Sequence, residues 1–418
     1  MNIAVIGTGI AGMTAAYLLS RQHRLTVFEA NDYVGGHTHT IDVPVNGDRY
    51  AVDTGFIVFN QNTYPNFIAL MKQLGIGWKP SNMSFSVQCA RTGLEFSPST
   101  FNSLFIQRKN LLRPSFYRMV ADAFRFRRHS QELFEKDDRY EMTLDQFLRE
   151  NGYSETFIEN FIIPMGEAIW SADPVKFREF PARYFAEFFK NHGFLNVKDQ
   201  PQWLVIEGGS STYVPPLTRA YRDRIRINSP VASIRRFDDQ VEIKPEGAPP
   251  ESFDQVVIAT HSDEALAMLE DPSEAEADIL GTIAYQENHA ALHTDERLLP
   301  SKKAAWASWN YFIPPEDLGR VAITYDMNIL QGLGSPVEFC VTLNRPGIAA
   351  ADKTIAEMVY HHPVYTPKSL AARQRYDEIN GRNRTYFCGA YWYYGFHEDG
   401  VRSALEVTKK FGLDLLES

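Results

Sequence analysis

Residues 3–6, Ile3-Ala4-Val5-Ile6, are apolar without alternation. That is the pattern of a strand buried on both faces of a parallel sheet. Residues 13–20 follow as a helix rich in Ala and Leu, and residues 25–29 (Leu-Thr-Val-Phe-Glu) make a second short strand. Further on, Thr143 with Gln146 three residues later predicts a capping-box helix start, and Asn151-Gly152 ends that helix. Residues 154–170 read as mostly helical with Pro164 inside or between two helices. Residues 225–227, 230–234 and 240–243 alternate as short strands, and 255–260 is a buried strand. Strand patterns recur over 304–325 and 337–344. Near the end, 384–390 is a strand, 391–396 an aromatic loop and 401–411 a helix with Asp399 as its N-cap.

The turn between the first strand and helix is Gly7-Thr8-Gly9-Ile10-Ala11-Gly12. Strand, GxGxxG, helix and strand together predict a dinucleotide-binding βαβ unit. Gly7 permits the tight turn, Gly9 lets backbone approach a pyrophosphate, and Gly12 lets helix pack closely on strand. The helix N-terminus at Ile10 and Ala11 offers unbonded N–H groups and a partial positive charge to the phosphates. Glu29, followed by Ala30, ends the second strand twenty residues after Gly9. A carboxylate there accepts hydrogen bonds from a ribose 2′-OH and repels a 2′-phosphate.

Composition narrows the class. The chain has 418 residues, 44% hydrophobic and 22% charged, enough for two or three domains. Its net charge of −10 argues against a nucleic-acid partner. Three cysteines, Cys89, Cys340 and Cys388, have no CxxC spacing, which points to a reducing, cytoplasmic setting. The apolar residues 2–20 lack a basic segment before them, the first cation being Arg21, so they read as the glycine unit and not as a signal peptide. No window has the length needed to span a bilayer. GxSxG, HExxH and GxxxxGK motifs are absent, which leaves hydrolase, metalloprotease and nucleoside-triphosphatase readings without support. His37 and His39 have no evident third ligand, so no metal site is expected.

The glycine unit, Glu29, and the pair Gly35-Gly36 six residues after it resemble the flavin-containing amine oxidase and phytoene desaturase superfamily. The resemblance implies FAD, with the Gly35-Gly36 segment returning to the pyrophosphate and Thr38 and Gly55 adding to the cofactor set. His37 stands where the family usually has Arg. Ile206-Glu207-Gly208-Gly209 resembles the family's internal Gly-Gly segment, and the backbone at Val231 would hold the adenine. In the family's closing motif a strand ending in glycine, here Gly389, precedes a helix aimed at the flavin's pyrimidine edge. Amides near Gly400 and Val401 would stabilise the reduced flavin there, with Asp399 beside them; Ala390 replaces an acid common in relatives. The implied fold is α/β: a Rossmann-like FAD-binding domain (1–75, 200–270 and 378–418) interleaved with an α+β substrate domain (76–199 and 271–377), of the amine-oxidase type. No cysteine stands where a covalent linkage is expected, so the FAD is expected to be non-covalent.

Amine oxidases of the superfamily usually carry a lysine that bridges through water to flavin N5. The corresponding residues 285–300 hold His289 and His293 but no Lys, and Lys302 and Lys303 come too late. The family's second aromatic ring before the closing helix matches Phe396, with Tyr394 close by. His397 is expected to exchange a proton with substrate and Glu398 to orient it, with His289 the next candidate after these two. The stretch from Phe387 to Gly400 looks most like a sub-branch related to the flavin domain of plant cyclopropane fatty-acid synthases, which implies an apolar, fatty-acyl substrate. Three activities stay open: oxidation, desaturation or isomerisation of such a chain; strict amine oxidation with release of hydrogen peroxide; and a flavin-binding scaffold without turnover. Residues 101–128 hold seven Arg or Lys against one acid, Asp122, interleaved with Phe and Tyr. Such a helix either lies on an anionic membrane surface or turns its aromatic side inward with solvated arginines; the inward reading is the expectation here. Oligomeric state is not legible.

Overall fold

The computed structural model describes residues 1–134, 142–170, 177–191, 201–316 and 322–415. A five-stranded parallel sheet takes its strands from three distant parts of the chain. Its order is Ile225–Arg226, Arg24–Phe28, Asn2–Ile6, Gln255–Ile258 and Thr385–Phe387. The unbroken apolar run at residues 3–6 has its explanation here. Ile3 and Val5 face the helices Ile10–Leu19 and His397–Lys409, while Ala4 and Ile6 face an antiparallel three-stranded sheet (Val231–Arg236, Val241–Pro245, Glu251–Phe253) and the helix Glu274–Gly281. Both faces are covered, so neither tolerates polar residues.

A seven-stranded mixed sheet forms the second layer, in the order Thr354–Pro363, Tyr285–His293, Cys340–Leu343, Ile323–Asp326, Trp309–Ile313, Phe85–Cys89 and Leu94–Phe96. Trp309–Ile313 and Phe85–Cys89 pair in parallel, the other neighbours antiparallel. Helices Pro114–Glu132, Leu144–Glu150, Ile163–Trp170 and Ala182–Asn191 pack beside it around Phe116, Phe126, Phe157 and Phe185. The strand pattern of 304–325 resolves into two of these strands, with 317–321 outside the described residues. The capping box at Thr143 forms: Gln146 N–H donates to Thr143 Oγ1 (3.2 Å) and Thr143 N–H to Gln146 Oε1 (3.0 Å). Pro164 lies in the first turn of Ile163–Trp170, directly after the wide turn Ile158–Ile162, where its missing N–H costs little.

One boundary needs correction. The closing helix starts at His397, four residues before the expected Val401. Asp399 is therefore inside its first turn and not its N-cap: its Oδ2 accepts from Phe396 N–H (2.9 Å), and Gly400 N–H already donates to Phe396 O (3.1 Å).

Candidate active site

Both ends of the chain meet at the glycine turn. Gly7 has φ +96°, and a Cβ there would lie 2.9 Å from Ala259 O; a Cβ on Gly12 would lie 2.0 Å from Gly7 O. Only glycine permits this strand-to-helix packing. Gly9 differs, because a Cβ there would meet nothing within 4 Å. It caps Ile10–Leu19 with no side-chain hydrogen bond and no acid in the first turn, so the Ile10 and Ala11 amides have no partner among the described residues. Gly36 (φ +60°) closes the other wall, since its Cβ would stand 3.0 Å from Gly9 Cα, and Gly400 would touch Ile10 Cγ2 at 2.6 Å. Open space, unbonded amides and a helix N-terminus together fit a phosphate group.

The acid and the histidine flanking this cradle are both held by their neighbours. Glu29 is buried, with Oε2 accepting from Thr8 N–H (2.9 Å) and Thr8 Oγ1–H (2.5 Å), and Oε1 from Asn31 N–H and Nδ2–H (both 2.9 Å). Its carboxylate knits the glycine turn to the segment beginning at Ala30. His37 is half-buried near Tyr360 (5.0 Å between ring centroids), His362 (5.3 Å) and His261 (6.3 Å). Burial, reinforced by those histidines, pushes its pKa well below the usual value. It is neutral and cannot supply the charge of the family's Arg. Among the described residues no three His, Cys, Asp or Glu side chains converge to hold a metal ion.

The closing helix brings the main corrections. His397 stacks on Phe56 (3.5 Å, 9°), and its Nε2 lies 3.0 Å from Thr38 Oγ1 and 3.1 Å from Tyr213 Oη. Burial lowers its pKa to about 3. A ring so dry and already hydrogen-bonded stays neutral near pH 7, so the expected proton exchange with substrate does not fit it. Glu398 faces away: it accepts from Asn66 N–H (3.1 Å), Asn66 Nδ2–H (2.6 Å) and Phe67 N–H (2.9 Å). It caps the helix Pro65–Leu74, whose own N-cap, Tyr64, provides no side-chain bond. Burial first, then Glu398, raises Asp399 to about 7. The amides without a partner are those of His397 and Glu398, not Gly400 and Val401.

His289 lies elsewhere. Opposed residues of antiparallel strands share a face, and His289 opposes Val359 while Glu287 opposes His361. That face is open: Val359 is 49% exposed, and His289 Nε2 pairs with Glu287 at 2.8 Å. Tyr360 and His362, one residue out of step, face His37. His293 is buried and bonded to Thr342 Oγ1 (2.7 Å). Lys302 donates to Ile106 O (3.1 Å), and Lys303 lies over Trp306. Gly389 ends its strand, with N–H donated to Ser403 Oγ (2.9 Å). After it the aromatic run divides. Tyr391 and Trp392 pack behind the parallel sheet near Tyr376, whereas Tyr394 stacks on Tyr184 (4.6 Å) and Phe396 on Phe188 (5.2 Å). Val231 begins its strand at a bulge.

Several site residues were not read from the sequence. Asp53, fully buried, accepts from Thr40 Oγ1–H (2.6 Å), Ser210 N–H (2.8 Å) and Gln331 Nε2–H (2.8 Å), which fastens the Gly208-Gly209 turn; burial raises its pKa to about 6. Tyr213 hydrogen-bonds to both Thr38 and His397, and Thr54 Oγ1 lies 2.8 Å from Tyr360 Oη. Gly55 lies against the His37 carbonyl, 2.2 Å from its would-be Cβ. Gly55 was already implied by the family resemblance; for the others the signal available was the polar pair Asp53-Thr54 closing the strand Asp48–Asp53.

Comparisons with known proteins agree with this geometry. Residues 10–330 match the family described as flavin containing amine oxidoreductase. A 1-hydroxycarotenoid 3,4-desaturase from Flavobacterium sp. strain P99-3 is 39% identical over 71 residues, 17% of this chain and 13% of that protein. A probable zeta-carotene desaturase from Synechococcus elongatus is 32% identical over 76 residues, 18% of this chain and 15% of that protein. These matches span under a sixth of either relative. Among solved structures, a CLA-producing fatty acid isomerase from P. acnes superposes with TM-score 0.70 at 18% identity over 98% of both chains. Cyclohexylamine oxidase from Brevibacterium oxydans IH-35A gives 0.69 at 16%, covering 98% of this chain and 99% of that one. At those identities the likeness is one of fold. With the family match covering more than half of the chain, this protein belongs to the flavin-containing amine oxidoreductases.

Proposed function

We propose that the protein binds FAD non-covalently and oxidises, desaturates or isomerises an apolar substrate, a fatty-acyl chain. The observation that carries this reading is the wall beside the closing helix. Phe396, Tyr394, Phe188, Tyr184 and Trp170 make a continuous aromatic cluster, while Lys302 is held by Ile106 O and Lys303 lies over Trp306. Bound FAD supplies a two-electron acceptor at N5. The chain's own part is to hold and orient. The amides of Ile10 and Ala11 would hold the pyrophosphate, Gly9 and Gly36 would leave it room, and the backbone at Val231 would hold the adenine. The helix N-terminus at His397 and Glu398 presents its dipole to the pyrimidine edge. His397, neutral between Phe56, Thr38 and Tyr213, is a positioning residue. Phe396 and Tyr394 exclude water and align the substrate chain. Three buried free thiols, Cys89, Cys340 and Cys388, agree with a reducing cytoplasmic setting, and among the described residues no helix is long and apolar enough to cross a membrane.

Anaerobic mixing of the yellow protein with unsaturated fatty acids and with primary amines tests the reading. Bleaching by the fatty acids, slowed in Phe396→Ala, is expected. Bleaching by amines alone overturns the lipid assignment and favours amine oxidation. Isomerisation leaves the flavin oxidised at steady state, so product analysis accompanies the spectra; neither bleaching nor product points to a scaffold.

A further inference from the structure

We infer that the face formed by Phe101–Leu104, Arg108–Leu112 and the outer side of Pro114–Glu132 docks on an anionic lipid surface. The inner side of the long helix is fully used: Phe116, Met119, Phe126 and Leu133 are buried in the core. Phe116 packs edge-on against Phe96 and Phe105. A second set of large apolar side chains nonetheless points outward. Among the described residues, five of the eleven exposed large hydrophobics fall between residues 101 and 124: Phe101 (73% exposed), Leu111 (40%), Leu112 (88%), Tyr117 (49%) and Phe124 (62%). Phe101, Tyr117 and Leu111 adjoin, and Leu112 follows Leu111. Phe105 lies 4.9 Å from the Phe101 ring and 5.9 Å from that of Tyr117, and Tyr117 Oη–H donates to Leu111 O (3.0 Å). Tyr117 and Phe124 stand seven residues apart on one helix face, about 10 Å along the axis.

Charge chooses the occupant. Residues 101–132 carry seven Arg or Lys against Asp122 and Glu132, in a chain of net charge −10. Asp122 is buried and engaged by Arg118 (3.3 Å) and Arg125 (3.4 Å). Among the described residues no carboxylate pairs with Arg108, Lys109, Arg113 or Arg128, so these four remain for an external anion. Exposed Leu and Phe rimmed by such cations is the composition that inserts shallowly into an anionic headgroup region. A protein partner would not require Leu112 to stand so fully in water beside unneutralised cations.

The test is cosedimentation of the full flavin-loaded chain with vesicles of phosphatidylcholine containing about one-third phosphatidylglycerol, against phosphatidylcholine alone. Binding to the anionic vesicles at low salt, weakened at high salt, is expected. Arg108→Gln/Lys109→Gln/Arg113→Gln should lower partitioning about a hundredfold, about fivefold for each cation removed. Phe101→Ser/Leu112→Ser should lower it about tenfold or more while circular dichroism and flavin absorbance stay unchanged. Equal binding to both vesicle types, no binding to either, or insensitivity to both variants overturns the inference. So does a wild-type dimer that Leu112→Ser converts to monomer without vesicle binding, because the face is then a contact between copies. None of these outcomes depends on the substrate, so failure here leaves the proposed chemistry standing.

Discussion

The glycine cradle and the aromatic wall lie on either side of the closing helix and are built on opposite principles. In the cradle the working groups are backbone amides and missing side chains: Gly7, Gly12 and Gly36 are where they are because a Cβ would collide. In the wall the working groups are side chains from three segments, at Trp170, Tyr184 to Phe188 and Tyr394 to Phe396, brought together by tertiary packing. A backbone site is written in a few consecutive residues. A side-chain site is written only in which helices meet.

Substitutions can break or sharpen that contrast. The largest effect should come from Gly12→Val, whose side chain would drive into Gly7 O; we expect a loss of about 3 kcal/mol or more in stability and of bound flavin, read by thermal unfolding and flavin absorbance. Its foil is Gly9→Ala, which meets nothing. Apo stability should hold within about 0.5 kcal/mol while the flavin Kd rises about tenfold, and unchanged flavin affinity would remove Gly9 from the phosphate site.

A pH experiment addresses His397, whose folded pKa is depressed to about 3 from 6.5. Below about pH 6.5 the unfolded chain takes up a proton that the folded chain refuses, so stability present above that pH is lost as pH falls toward 3. His397→Gln should shrink the loss between pH 7 and pH 4.5 by about 2 kcal/mol in urea titrations. An identical loss in wild type and variant would show that the ring is not dry. Asp399, raised to about 7, works in the other direction: its contribution is present at low pH and is lost as pH rises through 7.

Smaller still, Glu398→Ala should cost about 1 kcal/mol by uncapping Pro65–Leu74, with the rate of anaerobic flavin reduction retained. A rate that collapses without loss of stability would restore Glu398 to the chemistry. Lys302→Met and Lys303→Met should leave turnover unchanged, since Lys302 is engaged by Ile106 O and Lys303 by the Trp306 ring. A loss of flavin reduction would bring back the amine-oxidase reading.

The sequence reading succeeded and failed along the same line. The βαβ unit, the turn at Gly7 and the close approach at Gly12 were legible because each follows from local sterics. The strand at 384–390 was legible too, although its place beside Gln255–Ile258 was not. The closing helix was started four residues late because Asp399 is as good a residue at N3 as at N-cap, and only the Phe396 N–H contact separates the two. Glu398 looked catalytic beside His397, yet it reaches across 331 residues of chain to cap another helix. His289 failed on register, since one step along a strand turns a side chain from the site to solvent. The basic aromatic segment was expected to bury its aromatic side, and it buries only half of it.

The amino-acid sequence by itself determined the cofactor class, because glycine spacing and helix dipoles act within a dozen residues and need no distant partner. Only the tertiary structure decided which polar groups serve chemistry and which serve the fold. A carboxylate or imidazole takes its protonation state and its role from what surrounds it. For His397 and Glu398 those surroundings come from residues 38, 56, 66–67 and 213, between 184 and 359 positions away in the chain.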